Sequence, residues 1–209
     1  MKDLRQNYTL SSLIEENVPS DPYSLFSKWF DEALESDKIL EPNAMVMSTV
    51  KGDEVDSRIL LLKDLRDEKF VFYTNYTSNK GKQLEENKSC VLVFPWIELQ
   101  RQVIVRGKAT KVSSKESDEY FLSRPESSQV GAWVSDQSTP IENRASLENK
   151  LLKLTEYFES NELKRPEHWG GYEISAFELE FWQGRENRLH DRLLYTYSNG
   201  SWNIKRLQP

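Results

Sequence analysis

GYEISAFELEFWQ, residues 171–183, alternates: Phe177, Leu179 and Phe181 are separated by Glu178 and Glu180. Side chains along a strand point to opposite faces in turn, so the pattern describes a strand with one buried and one wet face. Ile174 is out of phase with the other three, which puts a bulge near Ser175 and Ala176. The chain then runs on as GRENRLHDR (184–192), with three arginines, one of only two histidines and two acids within eight residues. So much charge directly after a core strand is the first sign of a site.

Outward from this stretch the sequence is rich in strands. AMVMSTV (44–50), SRILLLK (57–63), KFVFYTN (69–75), SCVLVFPWI (89–97) and RQVIVRGKATKV (101–112) are short apolar runs with many branched and aromatic residues. Lys51-Gly52-Asp53 reads as a hairpin turn, and Gly107 marks a bend. RLLYTY and SWNIKRL, joined by Ser198-Asn199-Gly200, form a last hairpin. Helices are expected over 20–36, 77–87, 113–125 and 144–158. Asp21 and Pro22 open the first, whose apolar face is Leu25, Phe26, Trp29, Phe30, Ala33 and Leu34. In the last, Leu147, Leu151, Leu154 and Phe158 share a face. Seven or eight strands with few long crossover helices predict a mainly β, α+β architecture: an antiparallel barrel with peripheral helices. Residues 1–20 read as a polar arm and 21–209 as a single domain.

Composition narrows the function. The chain has 209 residues, 37% hydrophobic and 30% charged, with a net charge of −6. That balance argues against a general nucleic-acid binder, which needs a basic surface. One cysteine, Cys90, excludes an intrachain disulfide, and two histidines make a histidine-rich metal site improbable, so no metal is expected. No apolar run is long enough to span a membrane, and the N-terminus lacks the apolar core of a signal peptide, so a cytoplasmic protein is expected. There is no G-x-G-x-x-G, Walker A loop or G-x-S-x-G elbow, so a bound phosphate must be held by side chains and loop amides.

Four basic constellations remain. Arg58 and Lys63 lie five apart on a strand and face opposite sides, as two pocket residues or as solvated strand ends. YTNYTSNKGKQ (73–83) puts hydroxyls and a lysine at a helix start, which is either a phosphate site or an ordinary capped turn. Tyr120 and Arg124 share a helix face, with Ser128 close behind, as a phosphate grip or as surface packing. Arg185, Arg188, His190 and Arg192 sit beside Trp182, as an anion site or a salt-bridged loop.

The order and spacing of these segments resemble the pyridoxine/pyridoxamine 5′-phosphate oxidases. FWQGRENRLHDR is similar to that family's C-terminal signature. RILLLK, FYTNYTSNKGKQ, FPWIELQRQVIVRGKA, YFLSRPESSQVGAWVSDQS, HWGGYEI and the arm segment LRQNYT extend the resemblance over essentially the whole chain. The resemblance implies a split-barrel FMN-binding fold and a homodimer with FMN at the interface. It also implies oxidation of pyridoxine 5′-phosphate or pyridoxamine 5′-phosphate to pyridoxal 5′-phosphate, with O2 as acceptor, releasing H2O2, and NH3 from the amine. It assigns FMN contacts to Arg58, Ile59, Leu60, Leu61, Leu62, Lys63, Tyr73, Thr74, Ser78, Asn79, Lys80 and Gln102. Gln137, Ser138, Trp182 and Arg192 are implied to reach FMN from the other subunit. Lys63, Tyr120, Arg124 and Ser128 are implied to grip the substrate phosphate, Arg188 and His190 to hold the reacting ring, and Arg5 and Tyr8 to cover the site. The family usually has Arg where this chain has Asn79. The alternatives are a split-barrel reductase for another substrate, and a flavin- or pyridoxal-phosphate-binding protein without turnover.

Overall fold

The structure is a computed structural model that describes residue 4 and residues 6–209. Among the described residues nine strands form one antiparallel sheet. They are β1 (Ala44–Lys51), β2 (Glu54–Leu61), β3 (Asp64–Arg66), β4 (Lys69–Asn75), β5 (Ser89–Trp96), β6 (Arg101–Lys111), β7 (Trp169–Gln183), β8 (Asp191–Ser198) and β9 (Ser201–Arg206). The path is β2-β1-β5-β6-β7-β4-β3, with β8 and β9 added from β7. β7 is the axis. One of its edges pairs with β6 throughout, while β4 takes the first half of the other edge and β8 the second. The two ends of the path are joined by the chain itself: Leu62 N–H donates to Asn43 O and Lys63 N–H to Val71 O, both at 2.8 Å. The sheet curls round its core as a split barrel and does not close.

The bulge in β7 lies at Phe177, directly after its expected place. Arg106 pairs with Glu178 and Gly107 with Ala176, so Phe177 has no partner. The extra residue resets the alternation. Ile174, Leu179 and Phe181 are all buried in one core, whereas Phe177, expected among them, is 43% exposed. Glu180, expected on the wet face, is buried, because Arg192 of β8 lies over it with Nε and Nη2 at 2.8 and 2.6 Å from one carboxylate oxygen.

Helix α1 (Pro22–Leu34) plugs the barrel. The Asp21 carboxylate accepts from the N–H groups of Tyr23 and Ser24, satisfying two free donors at the helix start. Phe26 meets Phe70 and Phe94 edge-on, each at 4.9 Å between centroids. Leu34, read as part of the apolar face, is exposed at the last turn. Helix α2 (Asn79–Glu86) is capped by Ser78. Helix α3 (Ser114–Ser123) is followed by α4 (Glu126–Val134), which the sequence reading missed. Pro125 reads as a helix end, but it is also the N-cap of the next helix, where its missing N–H costs nothing. Helix α5 (Arg144–Glu159) buries none of its residues, and Phe158 packs on Trp133 of α4 at 5.6 Å. The tail of the arm is docked: Leu13 joins the core, and the Tyr195 hydroxyl donates to Pro19 O at 2.8 Å. No helix among the described residues is long and apolar enough to cross a membrane.

Candidate active site

β4 ends in Tyr73, Thr74 and Asn75, and α2 begins four residues later. The turn between them is held by Asn75, whose side-chain oxygen accepts from the N–H and hydroxyl of Thr77, both at 2.7 Å. Gly81 lets the helix start approach the carbonyl of Tyr76, because a Cβ there would sit 2.0 Å from that oxygen. This geometry drives Lys80 inward. Its ammonium donates to Thr74 Oγ1 at 3.0 Å, Ser78 Oγ at 3.3 Å and Gln137 Oε1 at 2.9 Å. All three partners are neutral, and no carboxylate pairs with Lys80 among the described residues. Burial, with help from the nearby Arg58 cation, pushes Lys80 down to about 8.

Arg58 reaches the same place from β2. Its guanidinium donates to Thr49 Oγ1 at 2.6 Å and Met47 O at 3.3 Å, and the Asp56 carboxylate is 4.0 Å away. Arg58, Ile59, Leu60, Asn79, Lys80, Gln137 and Ser138 line a cavity of ≈ 360 Å³. Two cations held by neutral oxygens beside a helix N-terminus are a donor set for a phosphate. These residues fit the phosphate end of a flavin mononucleotide.

A second cavity of ≈ 340 Å³ meets the first at Leu60 and Gln137 and is also lined by Tyr73, Thr74, Arg124, Ser128 and Trp169. Its wall is an aromatic stack. Tyr73 and Tyr120 lie 3.7 Å apart at 12°, and Trp169 continues the series at 5.7 Å from Tyr73. The Arg124 guanidinium sits 4.5 Å above the Trp169 ring. Its backbone carbonyl accepts from the buried Gln129 amide at 2.8 Å. Arg124 Nη1 is buried and finds no hydrogen-bond partner among the described residues. Such a donor is costly unless an acceptor arrives, so it marks a second anion position. Burial raises the hydroxyl pKa of both Tyr73 and Tyr120, so both stay neutral donors. Trp169 was not among the expected site residues. Its place in HWGGYEI carries no charge or spacing signal; only the fold brings it under Arg124.

A third group lies at the far end of β7. Gln102, Trp182 and Arg192 are direct cross-strand neighbours on β6, β7 and β8. Beyond them Arg188 and His190 line an open groove of ≈ 570 Å³ with Tyr8 and Asn187. His190 packs 4.6 Å from Trp182, and Tyr8 packs 5.8 Å from His190 and edge-on to Trp182. Gly184 makes room for Tyr8, since a Cβ there would lie 2.8 Å from the ring. His190 Nδ1 accepts the N–H of Arg185 at 3.1 Å, so the neutral ring carries its proton on Nε2. Burial and the Arg188 cation lower its pKa, and Asp191 opposes them.

The expected residues therefore fall into separate groups. Gln137 and Ser138, implied to reach across a dimer, line the cavity of Lys80 in their own chain. Gln102, implied to act with Arg58, stands beside Trp182. Leu62 is core, and Lys63 lines a different groove with Phe26, Phe30 and Asp31. Arg5 lies outside the described residues.

A family model described as pyridoxamine 5′-phosphate oxidase matches residues 30–157. The chain belongs to this family. A second model, the pyridoxine 5′-phosphate oxidase C-terminal dimerisation region, matches 169–209, which spans β7 to β9 and indicates a homodimer. The pyridoxine/pyridoxamine 5′-phosphate oxidase of Nostoc punctiforme is 50% identical, over 99% of this chain and 97% of that one. The one from Bacteroides thetaiotaomicron is 49% identical, over 99% and 98%. Among solved structures, PhzG from Burkholderia lata in complex with tetrahydrophenazine-1-carboxylic acid aligns with a TM-score of 0.88 and 28% identity, over 96% of this chain and 99% of that one. A pyridoxamine 5′-phosphate oxidase-related, FMN binding protein from Nostoc punctiforme shares the fold, with a TM-score of 0.71 at 12% identity, over 92% and 100%. The split-barrel architecture expected from the sequence is thus the family's own.

Proposed function

We propose that this chain is an FMN-dependent oxidase that converts pyridoxine 5′-phosphate or pyridoxamine 5′-phosphate to pyridoxal 5′-phosphate, with O2 as acceptor. The observation that carries the reading is a pair of anion positions in adjoining cavities: Lys80 with Arg58, and the unpartnered Nη1 of Arg124. Two phosphorylated ligands side by side are what an FMN enzyme with a phosphorylated substrate requires. FMN, when bound, supplies the redox chemistry, accepting the electron pair from the substrate and losing it to O2 to give H2O2.

The chain's own residues bind and orient. Lys80, Arg58, Ser78, Thr74 and Asn79 hold the cofactor phosphate. Arg124, Ser128 and Tyr120 grip the substrate phosphate, which supplies binding energy remote from the reacting carbon. Trp169 braces Arg124. Arg188 and the Nε2–H of His190 orient the reacting ring, and the Tyr8 arm excludes water above it.

The site is completed by a second copy. Thr74 is opposite Gly170, twelve residues before Trp182 on the same strand. At ~3.3 Å per residue that is on the order of 30–40 Å along β7, far more than a flavin ring can span. Trp182, Arg188, His190 and Arg192 of one copy therefore meet Lys80 and Arg124 of the other, consistent with a dimerisation region over β7 to β9.

The test is an aerobic assay with added FMN and pyridoxine 5′-phosphate, following pyridoxal 5′-phosphate and H2O2 together. Equal appearance of both is expected, with unphosphorylated pyridoxine a poor substrate. A yellow protein without turnover would move the function to a reductase or a binding protein. Equal use of pyridoxine would remove Arg124 and Ser128 from the phosphate grip.

A further inference from the structure

Arg206, in the last strand, has no part in the reaction above, yet it makes one of the densest polar networks in the molecule. Its Nε and Nη2 donate to the two oxygens of Glu15 at 2.7 and 2.6 Å, and Nη1 donates to Asp191 Oδ1 at 2.8 Å. Nη2 also donates to Leu13 O at 2.8 Å, and Asp191 Oδ2 accepts the Leu13 N–H at 3.0 Å. The backbone of Leu13 is thus gripped on both sides. The same Asp191 oxygen accepts from Arg185 Nη1 at 3.1 Å, and Arg185 in turn donates its N–H to His190 Nδ1. Polar contacts run without a break from the arm (Glu15, Leu13) through the C-terminal strand (Arg206) to the loop that carries Arg188 and His190. Tyr8, at the other end of the arm, closes the circuit by packing on His190, Trp182 and Gly184.

We propose that Arg206 is a positioning residue, and that the Glu15–Arg206–Asp191 network fixes the N-terminal arm and the Arg188–His190 loop as one body that shapes the substrate groove. The kinetic consequence rests on the oxidase reading; the clamp itself rests on the fold alone. The network is partly exposed, with Arg206 at 38% and Glu15 at 40%, so its contribution to global stability is small. Its effect is on geometry. Glu15 is held down to about 2, chiefly by its hydrogen bonds from Arg206, so the clamp stays charged over any working pH.

The test uses the full FMN-loaded chain and the variants Arg206→Met, Glu15→Gln and Arg206→Lys. For Arg206→Met we expect the KM for pyridoxine 5′-phosphate to rise roughly ten- to hundredfold, because a groove misplaced by about an ångström weakens orientation. FMN affinity and Tm should stay close to wild type, kcat within about threefold. Hydrogen exchange at the Leu13 amide should accelerate. Glu15→Gln should fall between, and Arg206→Lys should recover part of the KM, since an ammonium can reach one carboxylate but cannot bridge both. Unchanged exchange at Leu13 would overturn the clamp. Faster exchange with an unchanged KM would overturn the positioning role, as would a Tm loss that accounts for equal falls in every parameter. A wild type without turnover whose Leu13 exchange still depends on Arg206 would refute the oxidase reading and leave the clamp standing.

Discussion

Replacing Lys80 by Met tests the cofactor site by separating stability from cofactor binding. Methionine keeps the length of the side chain and removes its charge. In the cofactor-free chain Lys80 titrates at about 8, down from an ordinary 10.5, because its ammonium is buried against neutral oxygens and near Arg58. At ~1.4 kcal/mol per pH unit, that is a penalty of up to ~3 kcal/mol at neutral pH. The sign follows from linkage. Between pH 8 and 10.5 the unfolded chain holds a proton that the folded chain has lost, so stability rises with pH through that window. Below 8 the fold carries the full cost of the buried charge. Lys80→Met removes this cost and loses hydrogen bonds to Thr74, Ser78 and Gln137, worth about 1 kcal/mol each. The two nearly cancel, so the cofactor-free variant should match wild-type stability at pH 7 to within about 1 kcal/mol, or roughly 2–4 °C in Tm. FMN affinity, by contrast, should weaken roughly 10- to 100-fold with the loss of a charged hydrogen bond to phosphate. Wild-type affinity should also decline as pH rises through 8, while the variant shows no such step. Urea unfolding of the cofactor-free chain and fluorescence titration with FMN read the two quantities separately. A variant that binds FMN as wild type does, or that loses more than about 1 kcal/mol without cofactor, would show that Lys80 is a structural lysine and not an anion ligand.

Arg124→Gln should raise the KM for pyridoxine 5′-phosphate about 100-fold and leave FMN affinity unchanged, because the unpartnered Nη1 belongs to the second cavity; steady-state kinetics beside FMN titration checks this. Asn79→Arg should tighten FMN severalfold by adding a charged fork where Asn79 lines the phosphate cavity, and an unchanged dissociation constant would exclude the position from the phosphate contact. Glu180→Gln should cost about 3 kcal/mol of stability, since it leaves Arg192 and Arg106 without the buried carboxylate between them, and thermal unfolding measures the loss directly.

Much of this molecule was legible residue by residue. Apolar runs rich in branched and aromatic residues marked β1, β4 and β6, alternation marked β7, and Asp21-Pro22 marked the start of α1, because those signals depend on neighbours one to four residues away. The misses share a cause. Phe177 and Glu180 were assigned faces by alternation, but a bulge paired with Gly107 and a guanidinium from β8 set their burial. Pro125 could end one helix or begin another, and only packing chooses between the two.

The candidate site divides along the same line. The chemistry was present in the sequence as residue types: Lys80 and Ser78 at a helix start, Arg124 one turn after Tyr120, and Arg188 and His190 in one loop. A charge or a hydroxyl is a local property, and its motif travels with it. What the sequence by itself did not hold was which of these groups lack partners and which share a wall. Lys80 is proposed as an anion ligand because three neutral oxygens surround it, and two of them follow from its own turn while the third comes from Gln137, far along the chain. Arg124 waits for an acceptor because Trp169 and Gln129 hold it in place. Arg206 reaches Glu15 across 191 positions of sequence. Unmet hydrogen bonds, shifted pKa values and shared cavities depend on distances between residues remote in the chain, and those distances exist only once the sheet has curled.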